Sequence, residues 1–338
     1  MLNKECFIIA EAGVNHNGDI EIAKKLIDAA VEAGVDAIKF QTFKADKLVT
    51  KNAEKAKYQK ENTGDGTQLD MLKKLEISFE QHFILKEYCK LKGIEFISTP
   101  FDFESVDLLE KLDIPLYKIS SGDLTNIPFL KYIAKLNKPM IVSTGMANLG
   151  EVESAVEAIN SCGNNKISLL HCTSNYPTDY KDVNLNAMLT LKDAFKLPVG
   201  YSDHTVGIEI PIAAVAMGAK IIEKHFTLDK NMEGPDHRAS LNPQELKQMV
   251  DSIRNIEKAF GDGIKKCNEN EESTKRVARK SIVANRNICK DEVISYENIT
   301  FKRPGNGISP CCIDELIGRV VNVSIKKDDQ ISLDILSR

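Results

Sequence analysis

The sequence predicts an α/β fold, a (β/α)₈ TIM barrel, followed by a small β-rich domain. Three observations support this prediction. Eight short apolar runs each lead into polar, reactive residues. Helical patterns lie between most of these runs, which recur about every 20 to 30 residues, the length of a strand, a loop, a helix and a second loop. After residue 260 the pattern changes to short extended segments and turns.

The eight apolar runs are the predicted barrel strands. They span residues 7–10, 37–40, 95–97, 116–119, 140–142, 167–170, 198–201 and 219–222. The competing topology is an open doubly wound sheet, which would carry Gly-x-Gly-x-x-Gly after its first strand. Gly13 and Gly18 do not form that motif. The barrel is therefore favoured, with its active site at the carboxyl ends of the strands.

Helical periodicity is clearest in residues 20–34. Ile22, Leu26, Ile27 and Ala30 recur at spacings of three and four residues, and Gly34 ends the pattern. Similar patterns predict helices over 79–92 and 242–260.

Residues 44–75 form an insertion between the second and third strands. The segment is rich in Lys, Glu, Gln, Thr and Gly, and it exceeds the roughly 2 to 6 residues of a typical βα loop. A solvated surface excursion is the favoured interpretation, with a lid or an oligomer contact as the alternatives.

The organisation that follows is a catalytic barrel over 1–260, a polar linker over 261–275 and a C-terminal domain over 276–338. Strands are predicted at 281–284, 299–302 and 330–333, with extended chain at 316–323. Pro304, Gly305 and Gly307 shape a turn that presents Arg303. A domain this small is marginally stable alone, so we expect it to dock onto another surface.

Composition is that of a soluble globular protein. The chain has 338 residues, 42% hydrophobic and 28% charged, with a net charge of −4. No long basic block favours nucleic acid, and no apolar segment is long enough for a membrane helix or a signal peptide. A cytoplasmic location is expected. The eight cysteines are scattered without Cys-x-x-Cys, so reduced thiols are expected, and the adjacent Cys311 and Cys312 are interpreted as incidental.

Residues 221–226 (IIEKHF) carry the strongest chemical signal. In a strand, Glu223 and His225 share one face and Lys224 points to the other. Burying such groups costs several kcal/mol unless a metal, a substrate or another charge compensates. His204 follows the neighbouring strand, about 5 Å away, and two imidazoles at that separation can share a divalent metal.

Two lysines are predicted inside strands, where lysine is rarely tolerated. Lys39 and Lys118 are joined by hydroxyl groups at the ends of further strands, namely those of Thr99, Ser121, Ser143 and Ser202. Such a set of cations and small donors suits a ligand that carries both a phosphate and a carboxylate.

These motifs resemble those of the sialic acid synthases over nearly the whole chain. The matching blocks are 11–18 (EAGVNHNG), 39–43 (KFQTF), 98–101 (STPF), 143–146 (STGM), 171–173 (HCT), 176–178 (YPT), 202–204 (SDH), 223–227 (EKHFT), 234–236 (GPD) and 302–307 (KRPGNG).

The resemblance implies a TIM barrel followed by an antifreeze-like (SAF, β-clip) domain, in a domain-swapped homodimer with a divalent metal, Mn²⁺ first and Mg²⁺ or Co²⁺ as alternatives. It implies a transferase that condenses phosphoenolpyruvate with an N-acyl amino sugar into a nine-carbon 2-keto acid, a nonulosonic acid. C3 of phosphoenolpyruvate would attack the open-chain aldehyde, water would add at C2, and phosphate would leave by C–O cleavage.

The resemblance also implies a role for individual residues. Phosphoenolpyruvate would be bound by Lys39, Thr99, Lys118, Ser121, Ser143 and Ser202, the metal by His204 and His225, and the sugar by Gln41, Tyr176, Asp236 and the partner subunit's Arg303. Glu11, Asp123 and Glu223 would be the catalytic carboxylates.

The sequence departs from the family pattern at two places that, by the resemblance, would lie near the substrate. Asp123 stands where relatives often have Glu, and Ser174-Asn175 occupies a variable loop. N-acetylmannosamine, giving N-acetylneuraminate, is ranked first as the sugar. A 2,4-diacetamido-2,4,6-trideoxy hexose, giving legionaminate or pseudaminate, is the alternative. Rivals of other classes are a metal-dependent aldolase or 3-deoxy-heptulosonate-type synthase, which lacks the KRPGNG domain, and a non-catalytic sugar-binding regulator, which would not need both lysines and both histidines.

Overall fold

The computed structural model describes residues 5–337, and the chain divides into two compact units, residues 1–260 and 261–338. Each unit has its own hydrophobic core. No helix in the described part of the chain is long and apolar enough to cross a membrane.

The first unit is an eight-stranded parallel sheet in the order β3-β2-β1-β8-β7-β6-β5-β4. The strands are β1 (Phe7–Gly13), β2 (Ala37–Thr42), β3 (Glu95–Pro100), β4 (Tyr117–Ile119), β5 (Met140–Ser143), β6 (Ile167–His171), β7 (Val199–Asp203) and β8 (Ile221–His225). β3 and β4 also pack side by side. The predicted TIM barrel is therefore confirmed, although most strands extend one to three residues further than the apolar runs predict.

The first unit has eleven α-helices in its described residues, three of them in the insertion 44–75. They are α1 (Ile20–Ala33), α2 (Ala45–Leu48), α3 (Lys57–Thr63), α4 (Gln68–Lys73), α5 (Phe79–Lys92), α6 (Phe103–Lys111), α7 (Ile127–Ala134), α8 (Leu149–Asn160), α9 (Asn186–Phe195), α10 (Glu209–Ala216) and α11 (Pro243–Ala259). Their ends follow ordinary capping chemistry. The Asp19 side chain accepts from the backbone N–H groups at the start of α1, and Gly34 ends that helix at a φ of +80°.

The inside of the barrel is built in layers that follow the two-residue repeat of the strands. An apolar layer is formed by Ile9, Ala37, Ile97, Leu116, Ile141, Leu170 and Ile221. Two residues further along each strand, the inward layer is polar. Gly200 occupies the β7 position of the apolar layer, where a Cβ would lie only 2.2 Å from the Ile221 carbonyl oxygen. The apolar layer thus fills the barrel beneath the polar layer.

The insertion 44–75 is solvent-exposed over much of its length, as the favoured interpretation expects, but it also has packed structure of its own. It forms α2, α3 and α4, and its apolar residues build a small core with side chains from the loops that follow β1, β2 and β3. The core contains Val14, Phe43, Ala45, Leu69, Met71, Leu72 and Leu75. Asn62 Nδ2 also donates to the Pro235 carbonyl at 2.8 Å. The insertion therefore packs over the mouth of the barrel, as the lid alternative expects.

The second unit contains α12 (Glu272–Ala278) and an antiparallel pair of strands, β9 (Ser281–Ala284) and β10 (Ile299–Lys302). The segments predicted as extended at 316–323 and 330–333 contribute isolated bridges, such as that between Val283 and Gln330. The stretch predicted as a linker differs from a plain coil, because a 3₁₀ turn at Glu269–Glu271 and the start of α12 lie within it.

Candidate active site

A cavity of about 470 Å³ lies at the carboxyl ends of the barrel strands. Its volume is in the usual range for small-molecule sites. Thirteen of the predicted site residues line it: Glu11, Lys39, Gln41, Thr99, Lys118, Ser121, Ser143, Tyr176, Ser202, His204, Glu223, His225 and Asp236. The strand register explains why seven of them converge, because they form the polar layer above the apolar layer: Glu11, Lys39, Thr99, Lys118, Ser143, Ser202 and Glu223.

Lys39 lies between two carboxylates. In the β1–β2 and β1–β8 ladders, Glu11 is paired with Lys39 on one side and with His225 on the other. Lys39 Nζ lies 2.7 Å from Glu11 Oε2 and 3.7 Å from Glu223 Oε2, and it donates to Thr99 Oγ1 at 3.1 Å. Burial lowers the pKa of Lys39, but the two carboxylates outweigh burial and its pKa is raised. The two carboxylates therefore favour the charged form of the buried Lys39 side chain.

Lys118 forms the second cationic centre. Its Nζ donates to Ser143 Oγ at 2.7 Å and to the Ile119 carbonyl at 3.1 Å, and it lies 3.6 Å from Glu223 Oε1. Burial lowers the pKa of Lys118, and the positive charge of Lys39 adds to this effect. A bound anion would favour the charged form of this lysine.

Glu223 is the carboxylate that holds the two lysines together. Ser202 Oγ donates to its Oε1 at 2.8 Å. Although burial raises its pKa, Lys118 and Lys39 lower it more strongly, to about 2. Burial raises the pKa of Glu11. The polar layer thus holds an ionised carboxylate beside two lysines, whose charged forms a multiply charged anion would stabilise.

His204 and His225 face each other with ring centroids 5.5 Å apart. The Thr173 carbonyl lies 2.7 Å from His204 Nδ1, which fixes the Nδ1–H tautomer and leaves the Nε2 lone pair available. Burial lowers the pKa of both rings, and His225 Nδ1 is a buried nitrogen without a hydrogen-bond partner among the described residues. Two neutral imidazoles in this arrangement fit a divalent metal.

The metal shell would be open. In the described part of the chain, no group of three or more His, Cys, Asp or Glu side chains is arranged to hold a metal. Asp236 Oδ2 lies 3.7 Å from His225 Nδ1, and burial raises the Asp236 pKa to about 7. Asp236 is therefore an outer neighbour of His225, and two ligands leave room for water and substrate.

Tyr176 forms an aromatic wall beside the histidines. Its ring centroid is 4.2 Å from that of His204 and 5.1 Å from that of Tyr58, which belongs to the insertion. Burial raises the pKa of the Tyr176 phenol well above its usual value, so the hydroxyl remains a hydrogen-bond donor at neutral pH.

Asp123 does not join these residues in the structure. It closes a 3₁₀ turn after β4, where its Oδ2 accepts from Ser120 Oγ at 2.7 Å, and it is not among the residues that line the cavity. The shorter Asp side chain caps its own turn. Arg303 lies in the second unit, where its Nε donates to the Ala278 carbonyl at 2.9 Å.

Several cavity residues are not among those predicted from the sequence. Cys172 supplies the β6 position of the polar layer, with its Sγ 3.2 Å from Ser121 Oγ. The two-residue repeat counted from Leu170 could have identified it. Tyr58, Gln59 and Gln68 of the insertion also line the cavity, and no periodic pattern indicates them.

A second buried ion pair lies on the outer face of β7 and β8. Lys224 Nζ is 2.5 Å from Asp203 Oδ2 and contacts the Thr205 carbonyl, and Asp203 also accepts from the Thr205 backbone and hydroxyl. Both charged side chains are fully buried. This pair fixes the segments that carry His204 and His225.

Comparisons with known proteins agree with this geometry. Residues 26–265 match the NeuB family and residues 279–336 match the SAF domain. The N,N'-diacetyllegionaminic acid synthases of Campylobacter jejuni and Legionella pneumophila are 54% and 51% identical to the chain. The alignments cover 97% and 95% of this chain and 99% and 91% of those proteins.

Among solved structures, the N-acetylneuraminic acid (sialic acid) synthetase of Leptospira borgpetersenii, in complex with citrate, is 37% identical, with a TM-score of 0.70 over 80% of this chain and 90% of that one. The SAF match confirms the predicted C-terminal domain and excludes the rivals that lack it. The chain is an enzyme and belongs to the NeuB family, the family of the sialic acid synthases.

Proposed function

We propose that this enzyme condenses phosphoenolpyruvate with a 2,4-diacetamido-2,4,6-trideoxy hexose to give a legionaminate-type nine-carbon 2-keto acid and phosphate. One observation carries the choice of sugar. Two N,N'-diacetyllegionaminic acid synthases are 54% and 51% identical over almost the whole chain, against 37% for the Leptospira N-acetylneuraminic acid synthetase. The ranking of N-acetylmannosamine first is therefore corrected, and the alternative takes its place.

The polar layer supports phosphoenolpyruvate as the anionic substrate. Lys39 and Lys118 offer charge to its phosphate and carboxylate, and the hydroxyls of Thr99, Ser121, Ser143 and Ser202 line the same cavity. Five of the six side chains come from barrel strands, and that of Ser121 comes from the turn after β4. Holding the enol carbon next to the aldehyde replaces an encounter in solution by a fixed geometry.

The sugar aldehyde would lie beside His204 and His225. A divalent metal at these two imidazoles, for which Mn²⁺ is our first choice and Mg²⁺ and Co²⁺ the alternatives, would polarise the aldehyde oxygen. Gln41, whose Nε2 donates to Glu11 Oε1 at 3.2 Å, would orient a sugar hydroxyl together with Tyr176 and Asp236. Glu223 would stabilise positive charge that develops at C2 of phosphoenolpyruvate.

The test of the function is an incubation with phosphoenolpyruvate and each of three sugars: the 2,4-diacetamido-2,4,6-trideoxy hexose precursor of legionaminate, its stereoisomer that leads to pseudaminate, and N-acetylmannosamine. Phosphate release and product mass are measured. The proposal expects the largest kcat/KM for the legionaminate precursor. A larger value for N-acetylmannosamine would overturn the choice of sugar, and no phosphate release with any of the sugars would overturn the function.

The enzyme is expected to need a divalent metal. Because only two protein ligands are available, affinity should be modest and EDTA should remove the ion. Activity should fall to background and return with Mn²⁺, Co²⁺ or Mg²⁺. Metal content of the treated protein is measured in parallel, and full activity of a preparation shown to be metal-free would contradict this prediction.

Lys118→Ala should weaken phosphoenolpyruvate binding. Loss of a charge-assisted contact worth about 1.5 to 3 kcal/mol corresponds to at least a tenfold rise in KM for phosphoenolpyruvate. Lys39→Ala should act in the same direction. Lys135→Ala, at the exposed end of α7, is the matched control. Unchanged KM values for phosphoenolpyruvate in both site variants would mean that these lysines stabilise the barrel interior and do not bind this substrate.

We also propose a domain-swapped homodimer in which Arg303 reaches the sugar of the partner subunit. Arg303→Ala should raise the KM for the sugar by a factor that corresponds to about 1 to 3 kcal/mol, without changing that for phosphoenolpyruvate. Arg319→Ala, an exposed arginine of the same unit, is the control. Mixing Arg303→Ala and His225→Ala proteins under subunit exchange should regenerate activity. Inactive mixtures with demonstrated heterodimers would disprove the swapped arrangement.

A further inference from the structure

The wall of the active-site cavity has two halves of different origin. The inner half consists of the charged and hydroxyl side chains of the polar layer. The outer half comes from the insertion and from the loops that follow the strands, and it has an apolar part made by Met71, Leu72 and Leu75 of the insertion beside Val14 and Phe101. Two amide side chains of the insertion, Gln59 and Gln68, also line the cavity. We call Met71, Leu72 and Leu75 the insertion wall.

The side chains of the insertion wall are held in place by packing. Its side chains belong to the small core that the insertion forms with the ends of β1, β2 and β3, and each is less than a tenth exposed. Thr67 caps α4 by accepting from the Asp70 backbone N–H at 3.1 Å. Two contacts tie α3 to the barrel loops: the Tyr58–Tyr176 stack and the Asn62–Pro235 hydrogen bond. The apolar side chains are therefore held against the cavity.

The amide pair is also fixed. Gln59 Oε1 accepts from the Ala56 backbone N–H at 3.0 Å and from Gln68 Nε2 at 3.4 Å. This links the first turn of α3 to the first turn of α4. The outer half of the cavity thus combines an apolar surface with one cluster of amide groups.

The position of the reacting aldehyde determines which part of the sugar faces this outer half. The aldehyde carbon must lie at the inner half, next to the histidines and to phosphoenolpyruvate. Because the substrate is an open chain of six carbons, its far end, C4 to C6, must extend toward the outer half. A methyl group at C6 gains from apolar contact there, whereas a hydroxyl group loses its hydrogen bonds to water.

We propose that the insertion selects the sugar. The insertion wall accepts a C6 methyl group and disfavours a C6 hydroxyl, and the Gln59–Gln68 pair receives the acetamido group on C4. This inference rests on the proposed function and names the residues that set its substrate specificity.

The test compares two sugars that differ by one oxygen atom, the 2,4-diacetamido-2,4,6-trideoxy hexose and its 6-hydroxy analogue. The unmodified enzyme should favour the 6-deoxy sugar in kcat/KM by about 10 to 100-fold, the range that an apolar pocket achieves against an added hydroxyl. Leu72→Ser should reduce this ratio at least fivefold by lowering turnover of the 6-deoxy sugar and improving that of the analogue. The KM for phosphoenolpyruvate should not change.

Leu69→Ser is the matched control. Leu69 lies in the same helix and the same small core, but it is not among the cavity-lining residues. If the substitution only loosened the insertion, both variants should show the same change in the ratio of kcat/KM for the 6-deoxy sugar to that for its 6-hydroxy analogue. If the insertion wall contacts C6, this ratio should change only in Leu72→Ser. Thermal unfolding of both proteins shows whether they are equally destabilised.

A second comparison tests the amide pair. Gln68→Leu should reduce the preference for the 4-acetamido sugar over its 4-hydroxy counterpart at least tenfold, while the C6 preference stays. If both ratios are unchanged in active variants, the inference is wrong and the proposed function stands. If the unmodified enzyme releases phosphate with none of these sugars, both the proposed function and this inference are wrong.

Discussion

Glu223→Gln is expected to lower kcat by about 10² to 10³-fold, the usual effect of removing one preorganised electrostatic contact from an active site. The substitution keeps the shape of the side chain and removes only its charge. Lys39 and Lys118 then lose the carboxylate that lies 3.7 and 3.6 Å from their Nζ atoms. Positive charge that develops at C2 of phosphoenolpyruvate would no longer be balanced.

Steady-state and single-turnover kinetics check this prediction, because they separate chemistry from substrate binding. The KM for phosphoenolpyruvate should stay equal or fall, since two unbalanced cations attract an anion more strongly. Glu95→Gln, at the exposed start of β3, is the matched control. A kcat within threefold of the unmodified enzyme would show that the Glu223 charge plays no part in the reaction.

Lys224→Met is expected to destabilise the barrel by about 3 to 5 kcal/mol, the usual cost of leaving one partner of a buried ion pair behind. Asp203 would remain fully buried with only the Thr205 donors. Urea-induced unfolding of the full chain, followed by a probe in the barrel, measures the loss as a lower midpoint.

Lys220→Met is the control, because this lysine precedes the same strand and is exposed. Combining Lys224→Met with Asp203→Leu should recover part of the lost stability, since neither charge is then buried alone. A single Lys224→Met variant that unfolds within 1 kcal/mol of the unmodified protein would contradict the prediction.

The inner half of the active site could be predicted because it depends on local periodicity. Lys39, Lys118 and Glu223 each stand two residues beyond an inward apolar residue, and the barrel register then brings them together. The same two-residue repeat also places Cys172 in the polar layer. It was not predicted as a site residue because cysteine resembles the apolar residues around it. The strands were predicted too short because polar residues at their ends, such as Asp203, are typical of loops. In the structure the Asp203 side chain is buried and paired with Lys224 of the next strand.

The outer half could not be predicted because nothing periodic marks it. Tyr58 and Gln68 lie in a charged segment, and their position depends on a few long-range contacts such as that between Asn62 and Pro235. Asp123 illustrates the opposite case. The family resemblance implied a catalytic carboxylate here, but Asp123 accepts a hydrogen bond from the Ser120 hydroxyl within its own turn. Sequence proximity to a strand end does not decide between a site residue and a turn cap.

The insertion with its own small core has a consequence for how such an enzyme can change over evolutionary time. Substitutions that reshape Met71, Leu72 or Leu75 alter a segment joined to the barrel by a limited set of contacts. The bond-forming groups belong to the strands and are untouched by such changes. If the insertion selects the sugar, as we propose, a change of sugar can come from substitutions in this one segment, while the groups that form the new bond keep their places on the strands.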